Sequence, residues 1–182
     1  SHLNILNVFS KSFRRSGVQL VYTQGFNPKP KIEFAHPLSL GIESSSEIFS
    51  VSLNEKIDSK VLLDKINVNL PAGLVIKRCS SLISYIQNGK KKSLMSLYGG
   101  SQYLISSIDS YKNASSFFDK MTSYNENNNY PNLSIIVSNE NLEINIVNTG
   151  RKDSNIFYHI DSLIERTEFY KNYKITRTEM NT

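Results

Sequence analysis

The sequence predicts an α+β fold made of two tandem split βαβ, or ferredoxin-like, units. Three observations carry that reading. The second half reads strand, helix, strand, strand, helix, strand, which is the order of a split βαβ unit. Within it, Leu133–Val137 and Leu142–Val147 flank Ser138-Asn139-Glu140-Asn141, a hairpin signature between two apolar runs. The first half reads helix, strand, strand, helix, strand, the same order without its first strand. The polar, basic stretch QNGKKK at 87–92 suits a linker. It divides the chain into an N-terminal unit over 1–86 and a C-terminal unit over 93–182. The missing strand leads to the expectation that the natural chain extends before Ser1.

Residues 2–16 suit a helix capped by Ser1, with Leu3, Leu6, Phe9 and Phe13 on one stripe and Ile5 nearby. Gly17 follows, where a left-handed residue can end the helix. Val18, Leu20 and Tyr22 alternate with Gln19, Val21 and Thr23 as in a pleated strand. Gln24 to Lys31 then carries one glycine, two prolines and two lysines. Each proline fixes its own φ and pushes the preceding residue towards extended geometry, so this loop has few conformations. Ile32–Phe34 resumes the strand, His36-Pro37 opens an irregular stretch, and Gly41 sits in a turn. Phe49, Val51 and Leu53 alternate with serines as a half-buried strand. Asp58 caps a second helix, stopped by Pro71-Ala72-Gly73, and Leu74–Ser80 reads as a strand.

In the second half, Tyr103–Ile108 reads as a strand and Ser115–Tyr124 as a helix burying Phe117, Phe118 and Met121. The Asn-rich segment 125–132 reads as a loop, 157–169 as a helix with Ile160, Leu163 and Ile164 inside, and Tyr173–Met180 as the last strand.

A chain of 182 residues can bury a substantial core in one or two domains. Its one cysteine, Cys79, excludes an internal disulfide framework and a Cys-based zinc cluster. No apolar run reaches membrane-helix length, no signal-peptide pattern opens the sequence, and the cytoplasm is the expected location. Residues 1–32 hold Lys11, Arg14, Arg15, Lys29 and Lys31 and no carboxylate, whereas beyond them 16 basic and 16 acidic side chains cancel. A field of one sign attracts anions such as RNA, DNA or an acidic protein. The Asn, Lys and Ile bias also suggests an AT-rich genome, which supplies lysines by codon drift.

Four stretches, Ser1-His2-Leu3, Phe13-Arg14-Arg15-Ser16-Gly17, Tyr22-Thr23-Gln24-Gly25-Phe26-Asn27-Pro28-Lys29-Pro30 and Phe34 to Ser44, form a closely matching pattern. The match thins to Arg177-Thr178-Glu179 near the end. On these residues the chain resembles the radical-SAM-linked domain of unknown function. That domain is fused to the C-terminus of B12-binding-type radical SAM proteins or encoded as a separate small protein. The resemblance implies a bacterial accessory protein that partners a radical SAM enzyme and has no assigned activity or cofactor. A radical SAM iron–sulfur cluster needs three cysteines, so radical chemistry belongs to the partner or to residues before Ser1.

Candidate contacts for RNA or a partner protein are Lys11, Arg14, Arg15, Tyr22, Gln24, Phe26, Asn27, Lys29, Lys31 and His36. Aromatic rings beside cations equip single-strand RNA binders, because bases stack on rings while phosphates meet charges. Phe26 is either such a platform or a core plug. Of the three histidines, His2 at a helix start is the weak catalytic candidate. By analogy with CRISPR repeat-processing endoribonucleases it would be a general base, with Tyr22 or Lys29 stabilising the scissile phosphate. The alternative for His2 is a helix cap. His36 satisfies a turn, His159 is structural, and Arg177 reaches a groove between the halves or pairs near Glu179 on the surface. No metal-ligand spacing and neither a GxGxxG nor a GxxxxGK[ST] loop is present. The expected function is a non-catalytic module that binds RNA or an RNA-containing complex for a radical SAM partner. The alternatives are a module docking on the radical SAM subunit and a metal-independent endoribonuclease using His2.

Overall fold

The computed structural model describes residues 2–81, 86–87, 90–108, 114–138 and 141–181. In chain order the first elements are α1 (His2–Arg15), β1 (Ile32–Phe34), β2 (Ile42–Ser44), β3 (Phe49–Val51), α2 (Ser59–Asn67), β4 (Ile86–Gln87) and β5 (Lys90–Lys91). They are followed by β6 (Gly100–Ser107), α3 (Ala114–Asn128), β7 (Leu133–Val137), β8 (Asn141–Val147), α4 (Ile156–Ile160), α5 (Arg166–Asn172) and β9 (Tyr173–Asn181). The class is α+β, as the element pattern predicts. The chain forms two compact units, Ser1–Pro37 with Ile48–Leu97, and Leu38–Glu47 with Tyr98–Thr182. The boundary is therefore not a single cut near 87–92, because a ten-residue excursion from the first half joins the second unit.

In the first unit α1 is amphipathic, and Phe9 and Phe13 on its inner face are buried with Val18, Leu20, Phe34, Leu62 and Ile66. Leu3, expected on that stripe, is exposed. Phe9, Phe34 and Phe49 form an aromatic cluster, in which Phe34 and Phe49 are cross-strand partners of the antiparallel β1–β3 pair with ring centroids 5.4 Å apart. Gly17 follows α1 at φ 74°, the left-handed geometry a C′ residue needs. The Asp58 carboxylate accepts from the Lys60 and Val61 amides at 2.9 and 3.2 Å and caps α2.

Two expected strands of this unit are absent as such. Residues 18–23 make only isolated bridges, Leu20 to Leu53 and Tyr22 to Pro30. Pro30 has no N–H with which to extend a ladder. Leu74–Ser80 forms no strand, and Leu74 and Val75 are exposed. Here the Asn67 side chain takes both backbone groups of Ile76, at 3.0 and 2.8 Å, in place of a neighbouring strand. The stretch expected as a linker instead carries the antiparallel β4–β5 pair, Ile86 to Lys91 and Gln87 to Lys90. The Ser1 cap lies outside the described residues, as do 88–89 of that stretch and 139–140 of the expected turn.

The second unit holds a five-stranded sheet in the order β2-β9-β6-β8-β7. β6 is antiparallel to β8 and β9, and β8 is antiparallel to β7. β6 and β7 are therefore parallel, joined through α3 and split by β8. β8 and β9 are likewise parallel, joined through α4 and α5 and split by β6. β2 adds a parallel edge to β9, with Ile42 opposite Ile175 and Ser44 opposite Arg177. Residues 36–44 read as irregular because β2 offers one apolar residue and its partner lies some 130 positions away. The core gathers Tyr103, Ile105, Phe117, Phe118, Met121, Leu142, Ile144, Ile160, Phe169 and Ile175.

Two boundaries move. α3 runs on through Asn128 and ends at Asn129 with φ 47°, a conformation asparagine tolerates, so part of the expected Asn-rich loop is helix. The expected 157–169 helix is broken into α4 and α5. The Ile160 carbonyl accepts from both Leu163 and Ile164, at 3.0 and 3.1 Å, as carbonyls do at helix ends.

Candidate functional site

The 22–31 segment is a tight hairpin. Thr23 N–H donates to the Lys29 carbonyl at 2.8 Å, Lys29 N–H to Thr23 Oγ1 at 2.9 Å, and Lys31 N–H to the Val21 carbonyl at 2.8 Å. Its root is tied to the residue after β3, since Val21 N–H donates to the Ser52 carbonyl and Ser52 N–H to the Lys31 carbonyl. Val18 and Leu20 anchor the approach in the core. Everything from Tyr22 to Lys29 is exposed. At the tip Gly25 adopts φ 123°, a conformation that side chains rarely take, and this turns the chain into Phe26.

Phe26 has a relative accessibility of 111%, so its ring is not a core plug. A fully exposed Phe forgoes roughly 1.5–3 kcal/mol of burial. The prolines and the hairpin bonds limit how far the chain can move to hide it. Gln24 and Asn27 beside it make no hydrogen bond among the described residues, which leaves their amides available.

The hairpin thus carries Tyr22, Gln24, Phe26, Asn27, Lys29 and Lys31 of the predicted contacts. Lys11 and Arg14 form a separate exposed pair one turn apart on α1. Arg15 is spent on structure, donating to Ser12 Oγ at 3.1 Å and to the Asn69 carbonyl at 2.7 Å just beyond α2. His36 is half-buried. His2 opens α1, and its side chain lies outside the described residues.

Lys11, Arg14, Lys29 and Lys31 have no ion-pair partner among the described residues. The first unit as a whole contains 13 lysines and arginines against Glu33, Glu55, Asp58 and Asp64. The second contains 8 against 12 acidic residues. Sequence order hides this separation. Glu43 and Glu47, close in sequence to the basic segment, belong to the second unit, and Lys77, Arg78 and Lys90–Lys92 belong to the first.

Arg177 lies neither in an open groove nor on the surface. It is 1% exposed and donates through Nη1 to both Glu47 carboxylate oxygens at 3.1 and 3.3 Å. Its guanidinium stands 5.7 Å from the Tyr103 ring centroid. The pair fastens the 42–47 excursion to β9, and Ser44 Oγ supports it with a 2.5 Å bond to Glu47 Oε1. Near this cluster, burial pushes the Tyr98 phenol up to about 12. His159 is fully buried, as a structural residue should be, and its Nε2–H donates to the Asp153 carbonyl at 2.8 Å. Burial lowers its pKa.

No group of three or more His, Cys, Asp and Glu side chains among the described residues is arranged to hold a metal ion. Cys79 is a free, half-buried thiol. No described helix is long and apolar enough to cross a membrane.

The geometry defines a two-unit α+β protein whose basic unit projects a stiff, aromatic-tipped hairpin. The chain belongs to the family described as "Uncharacterized protein conserved in bacteria" (DUF2344), which matches residues 1–181. No curated protein and no solved structure matches it.

Proposed function

We propose that the protein is a non-catalytic accessory module that grips single-stranded RNA, or an RNA-containing complex, with its 22–31 hairpin on behalf of a radical SAM enzyme. The observation that carries the RNA reading is the fully exposed Phe26 on a hydrogen-bonded hairpin that also carries Lys29 and Lys31, neither with an ion-pair partner among the described residues. A base stacks on the ring while Lys29 and Lys31 meet phosphates. The surplus of basic side chains in the first unit supplies the long-range attraction. The radical SAM partner rests on the resemblance carried by residues 1–44 and 177–179.

The test is fluorescence anisotropy with single-stranded RNA at two salt concentrations. Phe26→Ala should weaken binding by about 1–3 kcal/mol, the usual worth of one stacked base. Lys29→Ala/Lys31→Ala should lower the salt slope by about 1.4, near 0.7 per lost single-strand phosphate contact. Wild-type binding that neither variant disturbs would remove the hairpin from the function. Absence of RNA binding would reject the RNA reading and leave the hairpin to be tested as a dock for the radical SAM subunit.

A further inference from the structure

The second unit is acidic overall, yet three of its eight basic side chains, Arg151, Lys152 and Arg166, line one groove of about 520 Å³. That volume falls within the roughly 300–1,000 Å³ of small-ligand sites. Gathering cations against the field of their own unit needs a reason, and the local geometry offers one.

Arg166 is held in place before any ligand arrives. Its Nε donates to Asp161 Oδ1 and Oδ2 at 2.8 and 3.2 Å, and its Nη2 donates to Oδ2 at 2.7 Å. The guanidinium lies 4.3 Å from the centroid of Phe157, which is buried and lines the groove. These bonds neutralise Asp161, the one carboxylate in the lining, and leave Nη1 of Arg166 without a partner among the described residues. Arg151 reaches Asp153 only loosely, at 3.5 Å, and its side chain is 73% exposed. Lys152 is exposed and has no ion-pair partner among the described residues. Two exposed cations thus stand with one pre-positioned donor edge. Beside them Tyr158 offers a 41% exposed ring, and the Asn155 amide group is left over after its Oδ1 caps α4 at 3.0 Å from Phe157 N.

We propose that this groove binds the phosphomonoester of a nucleotide, with the phosphate on Arg151, Lys152 and Arg166 Nη1 and the base against Tyr158. A terminal phosphate carries close to two negative charges at neutral pH and three acceptor oxygens, which suits one fixed and two adaptable donors. A neutral ligand could accept from those donors but would lack the charge attraction. The phosphomonoester belongs to a free mononucleotide or to the phosphorylated end of an RNA strand. The groove and the hairpin share no residue, so the groove stands or falls independently of the RNA reading above.

The test is a calorimetric titration of the whole protein with AMP and with adenosine. Wild type should bind AMP at least tenfold more tightly than adenosine. Arg151→Ala/Lys152→Ala should lose that preference, and so should Lys152→Glu, which removes no side-chain hydrogen bond or ion pair among the described residues. Phe26→Ala should keep it. Competition by a 5′-phosphorylated RNA, but not by its 5′-hydroxyl counterpart, assigns the ligand to an RNA end. AMP binding without such competition assigns it to a free mononucleotide, and either result bears the groove out. Equal binding of AMP and adenosine, no binding of either, or unchanged AMP binding in both groove variants overturns the proposal.

Discussion

Replacing Glu47 by glutamine keeps the side chain's shape and one oxygen acceptor but removes the charge opposite Arg177. The guanidinium is 1% exposed, and its other neighbours include the Met180 sulfur at 3.6 Å and the Tyr103 ring. Neither of these two carries a charge. Removing one partner of a buried ion pair costs about 3–5 kcal/mol, because a charge stays buried without compensation. The Glu47 side chain is 24% exposed, so solvent screening lowers the expected cost to about 2–3 kcal/mol. Glu47→Gln/Arg177→Met removes both charges and should be less destabilising than Glu47→Gln alone. Urea unfolding followed by circular dichroism reads the effect. With a slope near 2 kcal/mol per molar urea, the single variant should lose roughly 1–1.5 M in midpoint. Faster amide exchange in Ile42–Ser44 should accompany it, because the pair pins that strand to β9. A single variant within about 0.3 M of wild type would refute the argument. So would a double variant at least as unstable as the single one.

His159 makes stability depend on pH. Its Nε2 must carry a proton to donate to the Asp153 carbonyl, and its buried Nδ1 has no partner among the described residues. The rings of Tyr124, Tyr130 and Tyr158 surround it edge-on, and the nearby charge is Asp153, paired with Arg151. Burial lowers the folded-state pKa below the ordinary 6.5, so above 6.5 both states are neutral and the full stability is present. As pH falls below 6.5 the unfolded chain binds a proton that the folded one resists, costing up to about 1.4 kcal/mol per pH unit. His159→Gln keeps a donor for Asp153 and should flatten that dependence in urea midpoints between pH 8 and 5; an unchanged slope would acquit His159. Gly41 at φ 84° should not accept a side chain, since a Cβ there would run into the Tyr170 ring. Thermal melts should show Gly41→Ala costing more than Gly150→Ala, where φ is 75° but the space is open, and equal losses would mean that Tyr170 moves aside.

Local chemistry was legible in the sequence wherever it acts between neighbours. The α1 stripe, the Gly17 stop, the Asp58 cap, the β7–β8 hairpin and the final strand all follow from periodicity and capping, which need no distant partner. The same holds for the turn of the chain at 22–31, whose prolines restrict it from within. Failures came where a neighbour outside the run itself intervened. Asn67 took the backbone bonds of Ile76, and a strand pattern at 18–23 met Pro30, which has no donor.

The sequence by itself determined the α+β class, the basic opening segment and the stiffness of its loop, because composition and backbone restriction are carried residue by residue. Only the tertiary structure decided that Phe26 stands outside the core, since exposure depends on what else the fold brings over a ring. It alone placed Ile42–Ser44 beside β9 and Glu47 on Arg177, a pairing across 130 residues that no local pattern encodes. Charge separation between the units arises in the same way, because it depends on which distant segments fold into one unit.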